Sequence, residues 1–93
     1  MKLRFLSRAR RDLVWFRTSY DSVFREGADR ARRQYRRTMA NILSNPYIGH
    51  PAANGVRRFP IPRTPFSVIY RVAEEEIEIL RVLDQRAEEP TEP

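Results

Sequence analysis

At Asn45-Pro46 the hydrophobic period of this chain changes, and that change limits its possible folds more than any other feature. Upstream, apolar residues recur with the 3.6-residue period of a helix; downstream of about residue 56 they alternate with a period of two. A chain that is helical in its first half and extended in its second segregates helices onto a sheet, giving an α+β domain rather than a βαβ series. Pro46 sharpens the boundary, because proline disfavours helix in the residue before it and has no N–H to continue one.

The helical half opens with a short alternating run, Lys2–Leu6, whose Leu3 and Phe5 share a face and predict a first strand. Ser7 follows as the expected N-cap. Ala9, Leu13, Phe16 and Tyr20 then recur at spacings of four, three and four, one face of a helix. Trp15 and Tyr20 are read as core or hairpin packing. Gly27 marks the break before a second helix over about Ala28–Leu43, with Ala28, Ala31, Tyr35, Thr38/Met39 and Ile42 as its apolar stripe. The opposite side carries Arg30, Arg32, Arg33, Arg36 and Arg37, most simply a solvated face, with an anion-contacting ridge as the alternative.

In the extended half, Pro46–Asn54 reads as a loop and Val56–Ile61 as a strand. Phe66, Val68, Tyr70 and Val72 form a core stripe, leaving Ser67, Ile69 and Arg71 on the other face. Ile77–Leu83 is apolar on both faces: simple parity puts Ile77, Ile79, Arg81 and Leu83 on one side and Leu80 and Val82 on the other. That suits the most buried strand. The links Pro62–Pro65 and Glu74–Glu76 are short enough to join antiparallel neighbours. The expected architecture is a strand, an αα-hairpin, and an antiparallel sheet ending in a three-stranded meander. Residues 1–86 make one domain and 87–93 an acidic tail, expected to be flexible.

Composition closes off several kinds of chemistry. The chain has no cysteine and a single histidine, His50, so thiolate or histidine metal sites and a Ser–His relay are not expected. No cofactor is expected either. No run approaches the roughly 20 apolar residues of a membrane span, and the start, MKLRFLSRARRD, lacks a signal peptide's apolar core, so no membrane association and a cytoplasmic location are expected. The net charge of +6 comes from seventeen arginines and one lysine, Lys2, against twelve acids. Such a surface attracts acidic partners, and arginine stays protonated, so it clamps anions but shuttles protons poorly.

With the architecture in place, five segments in order carry a resemblance: ARRDL at 9–13, NILSNPYIG at 41–49, GVRRFPI at 55–61, FSVIYRV at 66–72 and IEILRVLDQR at 77–86. Together they are similar to the RelE/ParE superfamily of bacterial type II toxins, with the ParE-like subgroup favoured. The resemblance implies a small toxin neutralised by a cognate acidic antitoxin, ParD-like or similar. It further implies either inhibition of DNA gyrase, as in ParE-like members, or ribosome-dependent cleavage of mRNA, as in RelE-like members. A non-toxic or decayed basic binding module is the third reading.

Metal-free RNA cleavage needs a group to activate the 2′-hydroxyl, stabilisation of phosphorane charge and an acid for the leaving oxygen. Carried over from RelE-like relatives, the basic positions fall at Arg57, Arg58 and Arg86. Ser67 stands where a further basic residue belongs, and residues 87–93 contain neither tyrosine nor histidine. A cutting set is therefore incomplete, and gyrase inhibition is the favoured expectation. Arg57, Arg58, Arg71, Arg81 and Arg86 are the expected target- or antitoxin-binding residues. Arg71 is expected on the concave working face of the sheet, or paired with an acidic antitoxin residue there, and Arg81 either near the edge of the otherwise apolar Ile77/Ile79/Leu83 face or in an internal ion pair. A basic domain with surplus apolar surface suits an acidic, amphipathic antitoxin segment that folds on binding.

Overall fold

The computed structural model describes residues 1–22 and 27–84, the side chains of 19–22 excepted. It contains β1 (Lys2–Phe5), α1 (Ser7–Ser22), α2 (Ala28–Ser44), β2 (His50–Pro51), a 3-10 turn (Ala53–Gly55), β3 (Arg57–Pro60), β4 (Phe66–Val72) and β5 (Glu76–Asp84). The expected α+β order is present, with one addition: the segment read as a loop holds β2, which pairs antiparallel with β3. Two residues, one of them proline, carry too little alternation to register as a strand in sequence.

The five strands form one sheet in the order β1-β5-β4-β3-β2. The β3–β4–β5 meander is antiparallel, as its short links require, but β1 joins β5 in parallel, so the sheet is mixed. Register explains that pairing. Leu3 lies beside Ile77 and Phe5 beside Ile79, which aligns the apolar face of β1 with that of β5.

Helix α1 begins at Ser7 itself. The carbonyl of Leu6 already accepts from the Arg10 N–H at 3.0 Å, which puts Leu6, not Ser7, at the N-cap. Helix α2 starts after Gly27 and ends at Ser44, before the Asn45-Pro46 stop. Ala28, Ala31, Thr38, Met39 and Ile42 are its buried stripe.

Phe16 ties the hairpin to the sheet. Its ring meets Phe66 edge-on at 4.9 Å and lies 5.9 Å from Tyr35, so one aromatic joins α1, α2 and β4. The core closes around Ile42, Ile61, Val68, Tyr70, Ile77 and Ile79, all inaccessible to solvent.

Simple alternation along β5 fails at one point. Ile69 pairs with Arg81, but its neighbour Tyr70 pairs with Ile79, leaving Leu80 as an extra residue. This β-bulge restarts the alternation. Val82 thereby joins Ile77 and Ile79 in the core, while Leu83 leaves the face on which simple parity places it.

The β3–β4 link is a turn with Pro62 at its second position and Arg63, at φ 64°, at its third. Thr64 closes it twice: its N–H and its hydroxyl both donate to the Ile61 carbonyl, at 3.2 and 2.9 Å. A positive φ at the third position of such a turn favours glycine. Arg63→Gly is therefore expected to be neutral or to stabilise by about 0.5–1 kcal/mol, the relief of the left-handed backbone exceeding the entropy cost of glycine. A urea midpoint that falls with an unchanged m-value would contradict this.

Candidate functional site

Three of the expected site residues, Arg57, Arg71 and Arg81, fall into three separate networks, and each has a structural cause. The first is a clamp on the segment that leaves α2. Tyr70, fully enclosed on β4, accepts the Gly49 N–H on its hydroxyl at 2.9 Å and donates to the Pro46 carbonyl at 2.8 Å. Arg57, across from Tyr70 on β3, donates through one Nη1 to the carbonyls of Gly49 at 2.8 Å and Tyr47 at 3.2 Å. Its guanidinium also lies 4.9 Å from the centre of the Tyr47 ring, a cation–π contact.

Arg57 and Arg58 are adjacent in the strand and therefore point to opposite faces. Arg57 lies on the helix side, level with Tyr70, whereas Arg58 faces the other way, level with Ile69 and with His50 of β2. The pair does not converge on one anion. Ser67 is completely buried on the same side of the sheet as Ile69, so the position at which RelE-like relatives carry a base is an interior hydroxyl here.

The second network is a charge ladder on the face opposite the helices. Arg71 pairs with Glu78 across β4 and β5, through Nη2 at 2.7 Å and Nε at 3.0 Å. Arg4 of β1 meets Glu76 at 3.3 Å and the outer oxygen of Glu78 at 4.0 Å. Arg71 thus lies opposite the core stripe of β4, as strand parity predicts, half exposed and with a carboxylate of its own chain as partner.

The third network occupies the edge of β5 beyond the end of β1. Asp12 of α1 takes the Arg81 guanidinium in a two-point contact, Nε at 2.7 Å and Nη2 at 3.1 Å, and accepts the Val82 N–H at 2.9 Å. The pairing of β1 stops at Ile79, so this outward-facing amide has no strand partner, and the side chain of Asp12 supplies the acceptor. Asp12 holds the Arg81 guanidinium even more firmly protonated than usual. Arg81 is therefore in the internal ion pair, one of its two expected placements. Arg86 lies outside the described residues.

What the sequence reading missed is Asp12, half-buried beneath the sheet edge. The available signal was a single acid in the ARRDL segment together with an arginine in an apolar strand that had to find a carboxylate. Trp15 is a correction. At 58% exposed it stands on the outer side of α1 beside Val14, because the core line of α1 runs through Ala9, Leu13 and Phe16. The Tyr20 side chain lies outside the described residues.

The arginines without an ion-pair partner among the described residues lie chiefly on the helical hairpin. Between α1 and α2 runs a groove with Leu13, Phe16 and Tyr35 on its floor and Arg17, Arg32 and Arg36 around it. Its makeup fits an amphipathic peptide bearing acids at the edge of its apolar face. Among the described residues no cluster of histidine or acidic side chains is placed to hold a metal. Nor is any described helix long and apolar enough to cross a membrane.

Burial raises the Tyr35 and Tyr70 hydroxyls above the ordinary tyrosine value, for Tyr70 against the lowering influence of the Gly49 N–H and Arg57. The neutral form is the one the fold accommodates. Its contribution is complete below the unfolded value of about 10 and is lost as pH rises through the higher folded values. Urea midpoints are expected to fall above about pH 10, with a shallower fall in Tyr70→Phe. An identical pH slope in that variant would remove Tyr70 from the account.

A family model described as "ParE toxin of type II toxin-antitoxin system, parDE" matches residues 3–88. A solved structure titled "Chromosomal ParDE TA system from P. aeruginosa" superposes with a TM-score of 0.72 at 30% identity, covering 88% of this chain and 92% of that one. No curated protein matches the chain significantly. The family match spans both helices and all five strands, and the similar structure shares the arrangement of helices and sheet. The chain belongs to the ParE toxin family of type II toxin–antitoxin systems.

Proposed function

We propose that this ParE-family chain acts in the cytoplasm by inhibiting DNA gyrase and is neutralised by a cognate acidic, ParD-like antitoxin. The observation that carries the choice of target is the dispersal of the arginines. Arg57 is occupied by loop carbonyls, Arg71 by Glu78 and Arg81 by Asp12, while Arg57 and Arg58 occupy opposite faces. Cleavage chemistry needs several groups converging within hydrogen-bond reach of one phosphate. A binding surface has no such requirement. It needs a rigid scaffold, which these ion pairs and the Tyr70 clamp supply.

The antitoxin contact is assigned to the groove between α1 and α2. Apolar side chains of a folding peptide would cover Leu13, Phe16 and Tyr35, and its acids would meet Arg17 and Arg36.

The test is a supercoiling assay with purified gyrase and the full chain, run beside a ribosome-dependent mRNA-cleavage assay. Loss of supercoiling, reversed by the antitoxin, is the expected result. Intact gyrase activity with codon-linked mRNA cleavage would overturn the target assignment. Arg17→Glu/Arg36→Glu is expected to weaken antitoxin binding by at least about tenfold, since it replaces attraction with like-charge repulsion at the groove edge.

A further inference from the structure

Resting on the gyrase reading, whose target holds a DNA duplex, we propose that the outer face of α2 is a second contact surface, one that grips the phosphate backbone of duplex DNA. Arg30, Arg33 and Arg37 follow one another at three and four residues along the exposed side of the helix, with Arg36 beside them. At 1.5 Å per residue that row extends over about 10 Å, the length of a few phosphates along one strand.

None of these four has an ion-pair partner among the described residues. The one described acid on this side, Asp29, is bound to Arg32 at 3.0 Å. A face that served solubility alone would alternate charges at three- and four-residue spacing, which stabilises a helix. Here Arg33 and Arg37, and Arg32 and Arg36, stack like charges at four residues, an arrangement that opposes helix formation until an anion neutralises it. Helix formation is maintained from the other side, where Ala31, Thr38, Met39 and Ile42 are buried.

The chemistry of the face selects the class of partner. A protein interface needs apolar anchors at its centre. Among the described residues the exposed large apolar side chains lie elsewhere: Met1 precedes β1, Val14 and Trp15 are on α1, and Leu43, Tyr47 and Ile48 lie at and beyond the end of α2. Around Arg33 the exposed neighbours are arginines and small or polar residues, which is the composition that phosphate contacts use. Such contacts position a protein on a duplex without reading its sequence. The hairpin then has two working sides, an apolar groove for a peptide and an arginine row for a polyanion.

The experiment measures binding of the full chain to a labelled mixed-sequence DNA duplex by fluorescence anisotropy between 50 and 200 mM salt. Arg33→Gln/Arg37→Gln is compared with Lys2→Gln/Arg63→Gln, which removes the same charge from outside α2, and circular dichroism confirms that each folds. The α2 pair is expected to lower the slope of log K against log salt by about 1.8, close to 0.9 for each phosphate no longer neutralised, with little change in the other pair. Equal effects from both pairs would reduce the binding to net charge and overturn the proposal. Stronger binding to single-stranded RNA or to polyglutamate than to the duplex would also overturn it, in favour of those partners. Gyrase inhibition is measured on the same proteins. A wild-type chain that leaves gyrase active removes the target reading itself. If the wild type inhibits and the α2 pair binds duplex and inhibits equally well, the α2 surface alone is refuted.

Discussion

Gly49→Ala is expected to destabilise the chain by about 3 kcal/mol, through overpacking and the loss of a buried hydrogen bond. A Cβ at position 49 would lie 2.7 Å from the Tyr70 hydroxyl, 2.9 Å from its ring and 3.1 Å from the Arg58 carbonyl. The ring cannot retreat, because Tyr70 is fully enclosed. The segment after α2 must move instead. That breaks the Gly49 N–H bond to Tyr70, lengthens the Tyr70–Pro46 bond and withdraws two carbonyls from Arg57. In a domain this small the melting temperature is expected to fall by roughly 12–24 °C. Tyr70→Phe, which opens the space but removes the hydroxyl, is expected to cost about 1–3 kcal/mol, because it strands the Gly49 N–H. A melting temperature within about 3 °C of the parent for Gly49→Ala would show that the clamp yields without cost.

Asp12→Ala is the second large effect, expected at about 2–3 kcal/mol. It removes the partner of Arg81 and the acceptor of the Val82 N–H together. Deleting one member of a buried pair costs about 3–5 kcal/mol. Here the side chains of Asp12 and Arg81 remain 14% and 29% exposed, so solvent screens part of the loss. Adding Arg81→Met should recover part of the stability, because no unpaired charge is then left at the sheet edge. Urea denaturation of the single and double variants closes the thermodynamic cycle. Strict additivity would mean that Asp12 acts through Val82 alone and that the ion pair contributes nothing measurable.

These two positions also mark the limit of sequence reading. The helices, the meander and most of the core are legible because each follows from a period: 3.6 residues through Ile42 and two residues from Phe66 to Val72. The Asn45-Pro46 stop and the Gly27 break are legible because proline and glycine act locally. Arg57 and Arg58 are legible as basic positions, but their opposite orientation follows only once strand β3 is fixed. Trp15 misleads because an aromatic side chain suggests burial, whereas the phase of the helix places it outside.

Local preferences and periodicity, which act over a few residues, determined from the sequence alone that this chain is an α+β domain with an arginine-rich helical hairpin. The parallel pairing of β1 with β5, the bulge at Leu80, the Asp12–Arg81 pair and the Gly49–Tyr70 clamp were decided only by tertiary structure. The two side-chain contacts bring together residues far apart in the chain, 69 residues apart for Asp12 and Arg81 and 21 for Gly49 and Tyr70. No local period encodes such a contact. It forms when packing presents a buried donor or charge that must be satisfied, and the fold places the matching group within reach.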